Sequence, residues 1–413
     1  MQDETDFDAM FPTSHFEQLL EEGFEFDSYA VTADLLVTRA RKGWLSVGDF
    51  SSLVFCEHKT LYAHTLQAKQ PTTPAMQNGT RIHAILEDEV MPQTVEIAPV
   101  SAEDRWALRF CNMIVAVNVF IETGVAREIP IIGRVGPFLV YGIVDQIERR
   151  TAAPHHITPP NSSSCVIRDT KTRVSKSIPS SRVIQHQNRL QISLYARMMN
   201  QLSCALSDSA DNQTSMDKFF FQSIPSLGAR KILSPEVLAH VQSLLDEPKD
   251  FYTKFPPIVF ADVMFEHGWF KIFSKLGHLP RVAIAPDPLL VPNVTPRIEY
   301  LWQRDHTVVL GVVQEVYDAH WVETVLKRGV EFWQGNVKVK EMLGLDSLTC
   351  TEAKDCAKNV VAINLKDACG ESDCQVNEAT VYDMESLYMC HSCVYNDGCG
   401  WLAKQARQTN TIQ

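Results

Sequence analysis

The sequence predicts an α/β fold, a mixed sheet flanked by helices. Two patterns carry that expectation. Apolar runs with β-branched residues over positions 126–132, 138–148 and 165–170 are bounded by turn formers, as strands are. Segments with capping residues and helical spacing precede and follow them, and this order of helix, antiparallel strands, helix and strand suits a helix-covered mixed sheet.

The elements follow in chain order. Residues 1–40 are an acidic, flexible tail ahead of a single domain over 41–413. Ser46-Val47-Gly48-Asp49-Phe50 opens a helix with its capping residue in front, and a second helix runs from Gly79-Thr80-Arg81-Ile82-His83 to Glu89. Residues 106–120 are a longer apolar-rich helix. The strands at 126–132 and 138–148 are joined by Gly133-Arg134-Val135-Gly136-Pro137, and a polar loop over 151–164 leads to the strand at 165–170. Residues 183–200 are a helix, and Lys218-Phe219-Phe220-Phe221-Gln222 is read as a further buried strand. The core is expected over 79–224 and 293–335, with a Pro-interrupted, mostly helical insertion at 225–292 and a variable, polar one at 336–389. A cysteine-rich segment, 390–401, closes the chain.

Composition limits what these elements can be. With 413 residues and 45% hydrophobic content the chain can bury a sizeable core. No apolar run approaches the ~18 residues that cross a bilayer, and the N-terminus lacks the order of a signal peptide. A soluble intracellular protein with no membrane partner is expected. Eleven cysteines, an odd number, in that setting read as reduced thiols, some of them metal ligands.

The net charge of -12 is unevenly placed. Residues 1–38 hold ten acids and no Lys or Arg, so the remainder carries only -2. The Phe-studded tail reads as a solvated arm or as a docking peptide for a protein partner. It argues against an Arg-rich transit peptide. Residues 168–197, by contrast, hold seven bases, Arg168, Lys171, Arg173, Lys176, Arg182, Arg189 and Arg197, against one acid, Asp169. A strip of this kind is either a solvated helix face or a local phosphate-binding surface, because salt screens the distant tail.

The candidate chemistry lies in the same stretch. Asp145 ends the apolar run Leu139-Val140-Tyr141-Gly142-Ile143-Val144, and 24 positions later Asp169 and Lys171 alternate along the next strand, so both face one side. Two converging carboxylates bind Mg²⁺ or Mn²⁺ through hard oxygens, and an adjacent ammonium can orient the attacking water. Phosphodiester hydrolysis needs that set. An isolated Asp-x-Lys is more often a surface ion pair, but the apolar strand before it and the basic helix after it favour the site. His83 and Glu87 share a helix face and offer a third ligand. Gln191 and Tyr195 repeat that spacing after Lys171, where they contact a phosphate or position Lys171, unless Tyr195 simply packs on the sheet with Leu190 and Leu194.

Taken in order, Gly79-Thr80-Arg81-Ile82-His83, Tyr141-Gly142-Ile143-Val144-Asp145, Asp169-Thr170-Lys171, Gln191-Ile192-Ser193-Leu194-Tyr195, Phe332-Trp333-Gln334-Gly335 and the split cysteines resemble the exonuclease V family. These are cluster-bearing single-strand DNA exonucleases of the RecB-like branch of PD-(D/E)xK nucleases. The resemblance spans most of the chain from Leu45 to Trp401. It implies a restriction-endonuclease-like core in which His83, Asp145, Asp169 and the Thr170 carbonyl hold Mg²⁺ or Mn²⁺. Lys171 would assist the water, with Gln191 and Tyr195 as the accessory motif. Arg168, Arg173, Lys176, Arg182 and Arg189 would line the path of single-stranded DNA. Cys56, Cys390, Cys393 and Cys399 would bind a 4Fe-4S cluster that clasps the two ends of the fold.

On spacing alone the thiolate set suits zinc as well as iron, and the resemblance favours iron. Cys350, Cys356, Cys369 and Cys374 are spaced poorly for zinc and read as free thiols of an insertion that the family pattern does not lead one to expect. A monomer acting in DNA repair, replication or recombination is expected, in the nucleus or alternatively in mitochondria.

Overall fold

Strand β3 (Phe138–Arg150) organises the sheet, because three other strands pair with it. In the computed structural model, residues 43–65, 72–90, 97–150, 164–207, 220–244 and 294–335 are described, together with Cys390 and Cys393. The acidic tail, most of the 151–164 loop, residues 245–293, the 336–389 segment with its four cysteines, and Cys399 lie outside the described residues.

Strand β2 (Val125–Val135) covers one edge of β3 antiparallel, from Phe138 to Glu148. The other edge is shared. Strand β1 (Trp44–Ser46) takes Leu139 to Tyr141 in parallel, and β4 (Ser164–Arg173) takes Gln146 to Arg150 antiparallel. Residues 142–145 of β3 therefore face a gap between two partners. Strand β5 (Val294–Trp302) runs parallel to β4 along its length, and β6 (Asp305–Gln314) closes the far edge antiparallel to β5. The sheet is mixed, and the helices complete a mixed α/β architecture.

Local chemistry sets the helix starts. Ser46 caps α1 (Val47–Phe55), accepting from the Asp49 amide while Asp49 accepts from the Ser46 amide, and such caps contribute about 1 kcal/mol. After α2 (Glu57–Thr65), Thr73 caps α3 (Pro74–Asp88), which carries Pro at its start. Ser101 and Asp104 form the same reciprocal cap on α4 (Ala102–Thr123). Its Trp106, Phe110, Met113, Val117 and Phe120 recur every three or four residues and are buried, making the stripe that packs on β2. Helix α5 (Arg182–Ser207) buries Leu190, Leu194 and Met198 in the same way, and α6 (Pro235–Leu244) and α7 (Ala319–Trp333) follow. Among the described residues no helix is long and apolar enough to cross a membrane.

One expected element differs. Residues 220–223 are helical, not a strand, and Ile224 donates back to the Phe220 carbonyl. Phe220 is 1% exposed against Trp106 and Phe110, with ring centroids 5.0 and 5.8 Å away. A short apolar run satisfies a buried turn of helix as well as a buried strand, and packing on α4 decided between them.

Candidate active site

The gap in β3 pairing is where the acidic residues meet. The β3–β4 ladder stops at Gln146 and Arg168, one step short of Asp145 and Asp169. Asp145 is thus in the middle of β3 rather than at its end. Instead of a ladder bond, the Thr170 amide donates to Asp145 Oδ2 at 2.6 Å. A strand residue's N–H and C=O project to the same edge, so the Thr170 carbonyl also opens toward this gap.

Asp169 is 1% exposed and lies beside the Lys171 ammonium, whose Nζ is 3.0 Å from Asp169 Oδ2. Lys171 also donates to Gln191 Oε1 at 2.9 Å, and the Gln191 amide nitrogen is 3.5 Å from the Tyr195 hydroxyl. Helix α5 thereby holds the lysine from above the sheet. Tyr195 has a second job: a Cβ added at Gly142 would come within 2.6 Å of its ring and 2.7 Å of Val47. The glycine of the Asp145 strand is what lets α5 seat this close. Next along the helix, Asn188 donates to the Tyr300 hydroxyl, and Tyr300 sits across from Lys171 on β5.

His83 arrives from the other side on α3. Ile82 and Leu86 are buried against Leu301 of β5, which fixes the helix rotation and turns His83 toward the gap. Close approach also needs Gly79, where a Cβ would lie 2.9 Å from Thr172 Oγ1. The imidazole Nδ1 is 3.5 Å from Glu128 Oε1 and 4.0 Å from Asp145 Oδ2. The acid beside His83 is therefore Glu128 of β2, a residue that reading along α3 toward Glu87 did not reveal. His83, Glu128, Asp145, Asp169, Lys171 and Gln191 line a cleft of about 590 Å³ that also includes Thr80, Arg173 and Pro179.

The electrostatics follow from crowding. Burial, with the charge of Asp169 added, pushes the Asp145 carboxyl up to about 7. The Glu128 carboxylate is the main influence that raises His83 above its ordinary value, against the opposing effect of burial. Burial alone would lower Lys171, but the negative charges of Asp169 and Asp145 outweigh it and hold the ammonium above its usual range. Tyr195 is raised chiefly by burial and stays a neutral hydroxyl. The cleft thus presents clustered carboxylates, an imidazole and a fixed cation. Hard oxygen donors converging in this way suit Mg²⁺ or Mn²⁺, and Asp169 Oδ1 is buried with no hydrogen-bond donor among the described residues.

The family model described as exonuclease V, a 5' deoxyribonuclease, matches residues 36–356. The chain belongs to the exonuclease V family. That span includes Cys56 and every residue of the cleft and ends before Cys390. Exonuclease V members are nucleases, and the cleft is the one place among the described residues where His, Asp and Glu ligand atoms converge closely enough to share an ion.

The basic strip expected for this exonuclease V chain is narrower in the fold. Strand alternation turns Arg168 away from Asp169 and Lys171, and it pairs with Glu299 at 2.6 Å and Glu148 at 2.9 Å. Arg189 lies 3.6 Å from Glu315 and 3.7 Å from Asp318, and Arg197 pairs with Glu323. These acids are remote in sequence, so the local count of one acid missed them. Arg173 reaches the Ser177 carbonyl, Lys176 stands 3.9 Å over the Trp302 ring, and Arg182 is exposed at the start of α5. Those three remain at the mouth of the cleft or on the segment leading from it.

Of the four cysteines expected to bind a cluster, three are described and none of these is in a disulfide. Cys56 sits between α1 and α2, where its Sγ accepts from the Lys59 amide at 3.3 Å. Cys390 and Cys393 are linked through a 3.0 Å backbone hydrogen bond from the Cys393 amide. Glu57, next to Cys56, makes a two-pronged ion pair with Arg328 of α7 at 2.8 and 2.7 Å.

Proposed function

We propose that the protein is a Mg²⁺-dependent exonuclease that degrades single-stranded DNA from free ends in DNA repair, replication or recombination, on a PD-(D/E)xK core. The observation that carries this reading is the convergence of Asp145, Asp169 and Lys171 at the point where β3 exchanges β1 for β4. His83, Asp145, Asp169 and the Thr170 carbonyl would hold the ion. Bound there, Mg²⁺ supplies Lewis-acid charge to the scissile phosphate and lowers the pKa of the attacking water. The chain's own groups do the rest. Lys171, held by Gln191, orients the water and balances the charge that builds on the phosphate. Arg173, Lys176 and Arg182 attract the backbone toward the cleft.

Cys56, Cys390, Cys393 and Cys399 would hold a 4Fe-4S cluster that ties the start of the domain to its end. An amide aimed at the Cys56 sulfur suits a thiolate ligand, since hydrogen bonds to sulfur tune such clusters. We place the protein in the nucleus, acting as a monomer, with the acidic tail available to a protein partner.

The test is degradation of end-labelled linear and circular single strands in Mg²⁺ by wild type, Asp169→Ala and Lys171→Ala. Wild type should consume the linear strand and spare the circle. Each variant should lose about 10²-fold or more. Equal degradation by all three would assign the activity to a contaminant, and cleavage of the circle would make the enzyme an endonuclease. Brown protein with absorbance near ~400 nm is expected of the cluster, whereas stoichiometric zinc in colourless, anaerobically prepared protein would overturn it.

A further inference from the structure

We propose that Glu128 contributes its carboxylate to the cation site of His83 and Asp145, making it a further catalytic residue of the hydrolysis. The inference rests on the metal reading above and adds a ligand to it. Three observations support it independently of any motif.

The first is register. Val125 to Arg127 pair with Glu148 to Gln146, and Ile129 onward pairs with Val144 onward, so Glu128 stands across from Asp145 at a step where the ladder is interrupted. Residues opposite one another on antiparallel strands share a face. Two carboxylates so placed repel each other, and a shared proton or a positive charge between them relieves that repulsion. His83 does so in part, but its Nδ1 is 3.5 Å from one acid and 4.0 Å from the other.

The second is span. Ligand atoms of His83, Glu128 and Asp145 lie within 4.8 Å of one another. Ligands of one octahedral Mg²⁺ lie about 2.9 Å apart when adjacent and about 4.2 Å when opposite, so the three side chains must draw in by up to roughly 1 Å around an ion, a movement within reach of their torsions. Asp169, buried in the same cleft with Oδ1 accepting no hydrogen bond among the described residues, extends the donor set toward Thr170.

The third is backbone conformation. Glu128 has φ 49°, the one positive φ among the described non-glycine residues. A glutamate there costs on the order of 1 kcal/mol or more relative to glycine, and its carboxylate is turned into the cleft beside His83. Such a cost persists where the side chain serves the site rather than the fold.

Mn²⁺ alone is the probe, titrated into the full-length protein by calorimetry and followed by electron paramagnetic resonance. Glu128→Gln, which keeps the shape, should weaken Mn²⁺ at least about tenfold with its melting temperature unchanged. Glu128→Gly should weaken Mn²⁺ as much while melting higher, because it relieves the left-handed backbone. Mn²⁺ affinity within twofold of wild type in both variants overturns the role of Glu128 alone. Wild type that binds no Mn²⁺, or binds it equally after Asp145→Asn, overturns the metal reading and the inference with it.

Discussion

The Thr170 amide donates a 2.6 Å hydrogen bond to Asp145 Oδ2 across a gap where β3 and β4 have stopped pairing. This bond replaces a ladder contact with a side chain, and it holds Asp145 beside Asp169 although both are acids. Burial and Asp169 together disfavour the charged form of Asp145. The site is built by local loss of sheet regularity.

Asp145→Asn should therefore separate folding from chemistry. The amide oxygen can still accept from Thr170, and one negative charge is removed from beside Asp169. Thermal melting of the metal-free protein should be unchanged or higher, while degradation of end-labelled single strands falls about 10²-fold or more. A large fall in melting temperature would show that Asp145 is structural.

Gln191→Leu tests the hold on Lys171. The ammonium loses its 2.9 Å acceptor while keeping Asp169. Misplacing a catalytic group costs about tenfold to a hundredfold in rate, so kcat should drop with KM nearly constant. A change confined to KM would instead give Gln191 a part in substrate binding.

Arg328→Ala should destabilise the fold by about 3 kcal/mol in urea unfolding, because it removes the two-pronged ion pair from Glu57, which is 1% exposed. Replacing both, with Glu57→Gln and Arg328→Met, should recover much of that loss. If the single and double variants unfold alike, the pair does not act as a unit.

Acid should loosen the contact between α4 and the segment before α6. Asp104 accepts from the Val100, Ser101 and Ser234 amides, and although burial opposes it, these bonds hold its carboxyl below its ordinary value. A depressed carboxylate stabilises the fold above its unfolded pKa, and that contribution is lost as pH falls through the folded one. Unfolding free energy measured from about pH 5 down to about pH 3 should fall more steeply in wild type than in Asp104→Asn. Parallel curves would remove Asp104 from the acid response.

Much of this was legible along the chain. The helix start at Ser46, the β2–β3 hairpin and the alternation of Asp169 with Lys171 depend on neighbours within a few residues, and such contacts are written in local sequence. Gln191 was visible as the i, i+4 partner of Tyr195 and as a residue that could position Lys171, and the structure joins it to that ammonium. The 220–223 turn was misread because a short apolar run has no period of its own.

By itself, then, the sequence determined which residues lie on one face of a strand or helix, and so brought Asp169 together with Lys171, and Gln191 with Tyr195. Only the tertiary structure decided what stands opposite them. Glu128 meets Asp145 through β2–β3 register, Arg168 meets Glu299 through parallel pairing of strands separated by the whole α5–α6 connection, and the gap exists because β1 and β4 divide one edge of β3. Backbone periodicity acts over a few residues, whereas register and edge sharing are settled by how the entire core packs, which no local pattern encodes.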